Sequence, residues 1–196
     1  INRSGHTDKA RGNIFSYKPA PIQINYLGYA GTLGQEGIDY IISDKFVIPD
    51  EYKKSYSEKI IYLSKCFYPT DDSRVISQKI FRRADLNIGE NDFVFCSFNN
   101  SYKISSIEFK IWMKLLINVE NSVLLLLVDD KITKINLLNE INKFNIDYTR
   151  VKFLDFINNE DHLSRHKIID LYLDTFNYNG HTSAVDALYS GIPVIT

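Results

Sequence analysis

The chain has 196 residues, 44% hydrophobic and 13% aromatic, enough apolar mass for a real core and too much for global disorder. Its 23 basic and 24 acidic residues leave a net charge of −1, which gives no electrostatic footprint for nucleic acid or an anionic membrane. The longest apolar run, within residues 122–128, is too short to span a bilayer, and the opening residues do not read as a signal peptide. Cys66 and Cys96 lack metal or redox spacing, which points to a reduced, cytoplasmic protein. With no Met at its start and a strand just before its end, the chain reads as an internal piece of a longer protein.

Residues 22–27 are predicted as a strand, 28–34 as a glycine-rich turn, and 40–43 and 59–63 as short strands. The polar stretch 71–83 is a linker or a terminal helix, which sets a domain boundary near residue 85. Residues 93–98 form a buried strand and 99–104 a polar loop. Ser105 and Glu108 make a capping box opening a helix to about Val119, with Ile107, Ile111, Leu115 and Val119 at helical spacing and Trp112 in the core. A strand at 122–128, an amphipathic helix over 131–144, a strand at 151–154 and a helix near 160–167 follow. A strand at 171–174, a helix from Thr182 and a strand at Val194 complete the chain. This alternation argues for an α/β fold with a parallel, doubly wound sheet. Ligands in such sheets sit beyond the carboxyl ends of the strands, where residues 99–103, 155–162 and 177–183 all fall. No Gly-x-Gly-x-x-Gly follows a strand, against a generic dinucleotide oxidoreductase.

The most informative segment is Asn179-Gly180-His181-Thr182-Ser183, running from a loop into a helix start. The first N–H groups of a helix have no intrahelical partners and, with the dipole, suit a phosphate; the His181 imidazole and the Thr182 and Ser183 hydroxyls flank them. Asp186, one turn further in, is placed to reach a ribose hydroxyl. Lys103 closes another of these loops and is a candidate positive charge for a diphosphate. No Asp-x-Asp pair is present, so a metal-bridged diphosphate is not supported, and a lysine with a helix N-terminus can supply the positive potential instead. His162 and Arg165, three apart, share a helix face. Each has a plainer reading as well. Lys103 can be a solvated charge, Thr182 an N-cap beside an ordinary loop histidine, Asp186 a surface acid favoured by the dipole, and His162 with Arg165 a solvated face.

The strings Pro19-Ala20-Pro21-Ile22-Gln23, Leu27-Gly28-Tyr29-x-Gly31-Thr32 and Phe98-Asn99-Asn100-Ser101-Tyr102-Lys103 resemble the catalytic region of the O-linked N-acetylglucosamine transferase / SPINDLY family. Glu160-x-His162-x-x-Arg165, Leu173-Asp174-Thr175 and Gly180-His181-Thr182-Ser183-x-x-Asp186-Ala187-Leu188 continue the match in order, over nearly the whole chain. The resemblance implies a GT-B fold of two Rossmann-like domains. Residues 1–85 would be the C-terminal part of the N-terminal catalytic domain, and 86–196 the first part of the nucleotide-binding domain. It implies tetratricopeptide repeats upstream, and an inverting glycosyltransferase that needs neither metal nor cofactor. The donor would be UDP-N-acetylglucosamine or a related nucleotide sugar, and the acceptor a serine or threonine of a protein or peptide.

By the same resemblance Lys103 contacts the diphosphate, His181, Thr182 and Ser183 bind phosphate, and Asp186 binds the ribose. His162 packs near the uracil and Arg165 positions the base. Asn100 stands where animal members have glutamine and keeps an amide. Asn159 replaces a nucleotide-contacting lysine. Leu27, Gly28 and Thr32 match a loop facing donor sugar and acceptor; a tight turn is the plainer reading, and Gly28 there permits close backbone approach or positive φ. His6 lies in a stretch resembling a loop by the cleft. The general base is not identified. Other donors, GDP-fucose or UDP-glucose, and a non-catalytic nucleotide-binding or scaffold module are the alternatives. By itself the piece is expected to be inactive and, with open sheet edges in residues 1–85, to self-associate.

Overall fold

Short strands separated by polar turns give the first part of the chain a small parallel sheet. In the computed structural model, which describes residues 1–7 and 9–196, the chain divides into two units, Ile1–Asp71 and Asp72–Thr196. The first unit holds β1 (Ile24–Asn25), β2 (Tyr40–Ser43) and β3 (Lys59–Tyr62), all parallel and in that order. Its core gathers Leu33, Ile38, Ile41, Ile48 and Phe67. Buried Asp44 accepts the backbone N–H groups of Phe46 and Val47 at 2.9 Å each and of Phe67 at 2.8 Å.

The strand expected over residues 22–27 shortens to two residues. On one side Gln23 keeps only its carbonyl turned to β2, accepting from Tyr40 N at 3.2 Å, while its N–H donates to Asp39 Oδ2 at 2.8 Å and its side-chain amide to the Phe15 carbonyl at 2.8 Å and to that of Gly37. On the other, Leu27 turns out of extended backbone, at φ +84°. Side-chain bonds to loops take the place of ladder bonds, which periodicity cannot reveal.

The second unit is built on β4 (Phe93–Ser97), β5 (Ser122–Leu127), β6 (Val151–Leu154), β7 (Leu171–Leu173) and β8 (Val194–Ile195), parallel in the order β6-β5-β4-β7-β8. Every residue of β5 is buried, as expected of a central strand covered on both faces. Alternate side chains serve two cores. Val94, Cys96, Val123, Leu125 and Leu127 pack with Ala187 and Ile192, whereas Phe95, Leu124 and Leu126 pack with Phe109, Trp112, Met113, Leu116 and Ile141. The four helices are α1 (Ser106–Asn118), α2 (Lys131–Asn142), α3 (Asn159–Arg165) and α4 (Thr182–Tyr189), the first two supplying the second of these cores.

Two expectations about this unit change. Helix α1 has the capping box: Ser105 Oγ accepts from Ile107 N at 3.3 Å, and Glu108 Oε2 accepts from Ser105 N at 2.6 Å. Its buried face, however, is Phe109, Trp112, Met113 and Leu116, not the stripe from Ile107 to Val119. At about 100° per residue, positions four apart drift by roughly 40° each step, so that stripe begins opposite Phe109 and winds toward the core. Ile107 is accordingly 64% exposed and Leu115 partly buried. The larger area of Phe and Trp decides which face is covered.

Residues 71–83 form no α-helix but a strap along the second unit. Ser77 N donates to the Glu160 carbonyl at 3.2 Å, Ser164 Oγ to that of Lys79 at 2.7 Å, and Tyr189 Oη to that of Arg74 at 2.9 Å. Arg83 grips the Asp170 carboxylate with two 2.9 Å bonds.

Candidate functional site

Three loops leave the carboxyl ends of β4, β6 and β7 at one end of the five-stranded sheet, and these loops, with the helices α3 and α4 that follow the last two, carry the residues singled out from the sequence in this unit. A buried carboxylate organises two of them. Asp174 Oδ1, just past β7, accepts from Asn99 Nδ2 at 2.7 Å, Thr175 N at 2.8 Å and Gly180 N at 2.7 Å; Oδ2 accepts from Thr196 Oγ1 at 2.9 Å. Asn99 Nδ2 also donates to Thr175 Oγ1 at 3.0 Å, and Asn99 Oδ1 accepts from the Ser183 hydroxyl. Asn99, Asp174 and Thr175 are all buried. A Cβ added at Gly180 would lie 2.4 Å from Ser183 Oγ, 2.6 Å from Asn99 Oδ1 and 3.1 Å from Asp174 Oδ1. Only glycine lets the chain pass this close.

The same loop is pinned from α1. Glu108 is fully buried, and its Oε1 accepts from Phe176 N at 2.6 Å. Burial works against its charge, but the Ser105 hydroxyl and the N–H groups of Phe176, Ser105 and Asn177 outweigh that and hold its pKa below the usual value. Residue 108 therefore both caps α1 and ties down the loop before α4.

Lys103 ends a 3-10 turn (Ser101–Lys103), with its Nζ donating to the Asn179 carbonyl at 3.3 Å. His181 is the residue before α4 and makes no side-chain cap bond there; Thr182 is the first helical residue, not the N-cap. Burial first, and then the Lys103 charge, pull the His181 pKa down, opposed by Asp174. Lys103 and the α4 start, 76 residues or more apart in sequence, are thus neighbours. Asn100 is exposed and bonds weakly to Tyr102 at 3.4 Å, while its neighbour Asn99 takes the structural role.

Beside them lies a pocket of about 270 Å³, walled by Phe98, Phe156, Asn159, His162, Arg165, Thr182, Ser183 and Asp186 among others. Arg165 is buried, its guanidinium 4.9 Å from the Phe98 ring centroid, donating to the Asp155 carbonyl at 2.9 Å and to His162 Nδ1 at 2.6 Å. The second contact fixes the proton of a neutral His162 on Nε2. Burial, then the charges of Arg165 and His166, push His162 down to about 3, and burial takes Arg165 to about 10. His166 is fully buried, with Nδ1 2.8 Å from the His162 carbonyl. Asn159 begins α3 and is exposed. Asp186 lines the pocket, yet its carboxylate is ion-paired with Arg74 of the strap, whose guanidinium also stacks 4.4 Å over Tyr189.

In the first unit the remaining candidates also come together. His6 Nε2 lies 3.4 Å from the Thr32 carbonyl, and its ring packs edge-on against Tyr29 at 5.1 Å. Thr32 Oγ1 donates to buried Glu58 at 2.6 Å, and Leu33 N to the same carboxylate at 2.7 Å. Gly28 needs its missing side chain for close approach, since a Cβ would sit 2.0 Å from the Arg3 carbonyl oxygen. The positive φ falls on Leu27 instead, a strained conformation for a leucine of the kind that collects at functional loops. Among the described residues, no group of three or more His, Cys, Asp or Glu is placed to hold a metal ion, and no helix is long and apolar enough to cross a membrane.

This geometry can be set beside known proteins. The model of glycosyl transferase family 41 matches residues 1–84 and 75–196, the whole chain. The chain belongs to this family. A curated Arabidopsis thaliana relative, the probable UDP-N-acetylglucosamine-peptide N-acetylglucosaminyltransferase SEC, is 34% identical over 202 residues, covering 100% of this chain and 21% of its own length. The corresponding SPINDLY protein of Eustoma exaltatum subsp. russellianum is 32% identical over 204 residues, covering 100% and 22%. This family 41 chain therefore spans about a fifth of these relatives. A mutant O-GlcNAc transferase of Thermobaculum terrenum superposes with a TM-score of 0.77 at 26% identity, over 93% of this chain and 34% of that one. The fold is α/β of the GT-B type, and the chain carries part of it.

Asn99, Asp174, Thr175 and Glu108 are the residues that sequence reasoning passed over as parts of the site. The first three stand inside the quoted strings, but a buried hydrogen-bond hub has no spacing rule. Glu108 was visible only as a helix cap.

Proposed function

We propose that this chain is part of the catalytic region of a glycosyltransferase that moves N-acetylglucosamine from UDP to serine and threonine hydroxyls of proteins. The observation that carries the reading is that Lys103 and the α4 start meet beside a pocket lined by His162, Arg165 and Asp186, in a chain of family 41. In the proposed step the acceptor oxygen attacks the anomeric carbon from the face opposite the diphosphate. A new C–O bond forms, the bond from the anomeric carbon to the diphosphate oxygen breaks with its electron pair leaving on UDP, and the configuration inverts. Lys103 and the His181–Ser183 segment supply the positive potential for the leaving diphosphate in place of a metal ion. The hydroxyl proton passes to a base elsewhere in the whole protein or to the donor phosphate. His162, held neutral by burial and Arg165, offers its Nε2–H to a nucleobase, and Asp186 reaches a ribose hydroxyl by exchanging its Arg74 contact. Tetratricopeptide repeats would lie upstream, and the cysteines, neither of them bridged, fit a cytoplasmic setting.

The first test is a thermal-shift titration of the full chain with UDP and GDP, repeated on Lys103→Ala and His181→Ala. A ligand at a hundredfold over its Kd should stabilise by about 2.7 kcal/mol. UDP-selective stabilisation lost in both variants is expected; equal response to both nucleotides, or variants that bind as the parent does, would sink the reading. Asn159 at the pocket wall, where the resemblance places a lysine, makes the donor the point to test next. A panel of UDP-N-acetylglucosamine, UDP-glucose and GDP-fucose with a peptide acceptor on the whole protein identifies the sugar. Nucleotide binding without transfer from any donor would favour a binding module.

A further inference from the structure

Tyr178 stands between two residues that reach the site from different loops. The Lys103 ammonium lies 4.5 Å from its ring centroid, and the His181 imidazole stacks on it with centroids 5.9 Å apart and planes inclined by 28°. Lys103 belongs to the β4–α1 connection and His181 to the β7–α4 connection. Lys103 also touches the second loop at the Asn179 carbonyl, 3.3 Å away, a long bond for a flexible ammonium. The backbone under the ring is firmly held. The Tyr178 carbonyl accepts from Thr175 Oγ1 at 2.7 Å, Asn179 Nδ2 donates to the Thr175 carbonyl at 3.0 Å, and Phe176 N donates to Glu108 at 2.6 Å. Yet the residue is 39% exposed, so its ring is no part of either core. A large aromatic side chain left outside the core on a rigid loop, with a cation on it and an imidazole stacked against it, calls for an explanation other than packing.

We propose that Tyr178 is a positioning residue whose ring holds the Lys103 ammonium and the His181 imidazole at one spacing before a diphosphate arrives. This rests on the reading of Lys103 and His181 as diphosphate-binding residues. A cation over an aromatic face is attracted by the ring quadrupole, and at a partly exposed site the effect amounts to roughly a two- to fivefold change in an equilibrium constant. Restricting Lys103 in the unliganded protein means less side-chain freedom is lost on binding.

The test is made on the full chain with Tyr178→Ala and Tyr178→Phe. Calorimetric titration with UDP should show roughly two- to fivefold weaker binding for Tyr178→Ala and near-parental binding for Tyr178→Phe, with a melting temperature within a few degrees of the parent's in both. In a Lys103→Ala background, Tyr178→Ala should add little further loss, because the two act as a unit. A second readout needs no ligand. In NMR spectra the His181 ring signals should move in Tyr178→Ala as the stacked ring is lost. Their titration should shift upward, since His181 loses cover and Lys103 is released while Asp174 stays in place. Fully additive losses, failure of phenylalanine to rescue, or unmoved His181 signals would overturn the proposal. If UDP does not bind at all, the diphosphate reading fails by itself, and the His181 signals still decide whether Tyr178 sets this pair: moved signals support it and unmoved ones refute it.

Discussion

Replacing Gly180 by alanine tests whether the Asp174 hub sets the start of α4. The glycine is not in a left-handed conformation, so alanine brings no backbone strain, and by restricting the unfolded chain it contributes about 0.4–1 kcal/mol in favour of folding. Against this stand three contacts. The new methyl would lie 2.4 Å from Ser183 Oγ, 2.6 Å from Asn99 Oδ1 and 3.1 Å from Asp174 Oδ1, and two of those three groups are buried. Moving the serine hydroxyl off Asn99 removes a hydrogen bond worth about 1 kcal/mol. Crowding the amide and carboxylate in a packed loop costs about 1–3 kcal/mol more. The net loss is about 2 kcal/mol, or on the order of 8 °C in melting temperature for a unit of this size. Urea denaturation of Gly180→Ala, Ser183→Ala and the double variant measures it. Because Ser183 Oγ is the nearest obstacle, the double variant should be more stable than the two single losses predict, by about 1 kcal/mol. UDP affinity should fall in Gly180→Ala, whose helix start has moved. A Gly180→Ala protein as stable as the parent, or strict additivity with Ser183→Ala, would refute the argument.

Three further outcomes follow from the same geometry. His162 has a folded pKa of about 3 against 6.5 unfolded, so the unfolded state binds the extra proton between those values; stability is full above pH 6.5 and falls as pH drops toward 3, by at most about 1.4 kcal/mol per pH unit for this group. Denaturation at pH 4.5 and 7 should show a smaller difference in His162→Gln than in the parent, and an identical difference would contradict the assignment. Arg74→Ala strips the partner from the Asp186 carboxylate, which is 8% exposed, and should destabilise the second unit by about 3 kcal/mol in urea, with Asp186→Asn in the same background recovering part of it. A loss under 0.5 kcal/mol would mean the pair is dispensable. Glu58→Gln replaces one of two accepting oxygens by a donor facing Thr32 or Leu33 and should cost about 1–2 kcal/mol in the first unit; faster amide exchange at Leu33 reports the loss, and unchanged exchange counts against it.

Much of this was legible in the residues because it depends on local rules. The uninterrupted apolar run at 123–128, short and followed by Asp129-Asp130, suits a strand covered on both faces, and Ser105 with Glu108 marks the start of a helix. The Gly-His-Thr-Ser string ahead of a short amphipathic segment marked a helix start, and α4 does begin at Thr182. The order of quoted strings was enough to indicate the family.

What only the tertiary structure decided is where distant residues meet. Sequence spacing allowed two apolar faces for α1, and the choice fell to the bulk of Phe109 and Trp112 against β5. The β1 strand stops short because Gln23 bonds to two loops, one of them eight residues before it and the other fourteen after. Asp174, Asn99 and Ser183 form a hub across 84 residues of chain, and Tyr178 joins Lys103 to His181, through contacts that no local periodicity encodes. Periodicity states which side of an element is buried. The partners of a buried polar group are fixed by strand order, here β6-β5-β4-β7-β8, which places the loops after β4 and β7 side by side. The sequence determined the elements and the chemistry of the loops; strand order decided that these loops form one site, because hydrogen bonds and charges act over a few ångströms of space whatever their distance along the chain.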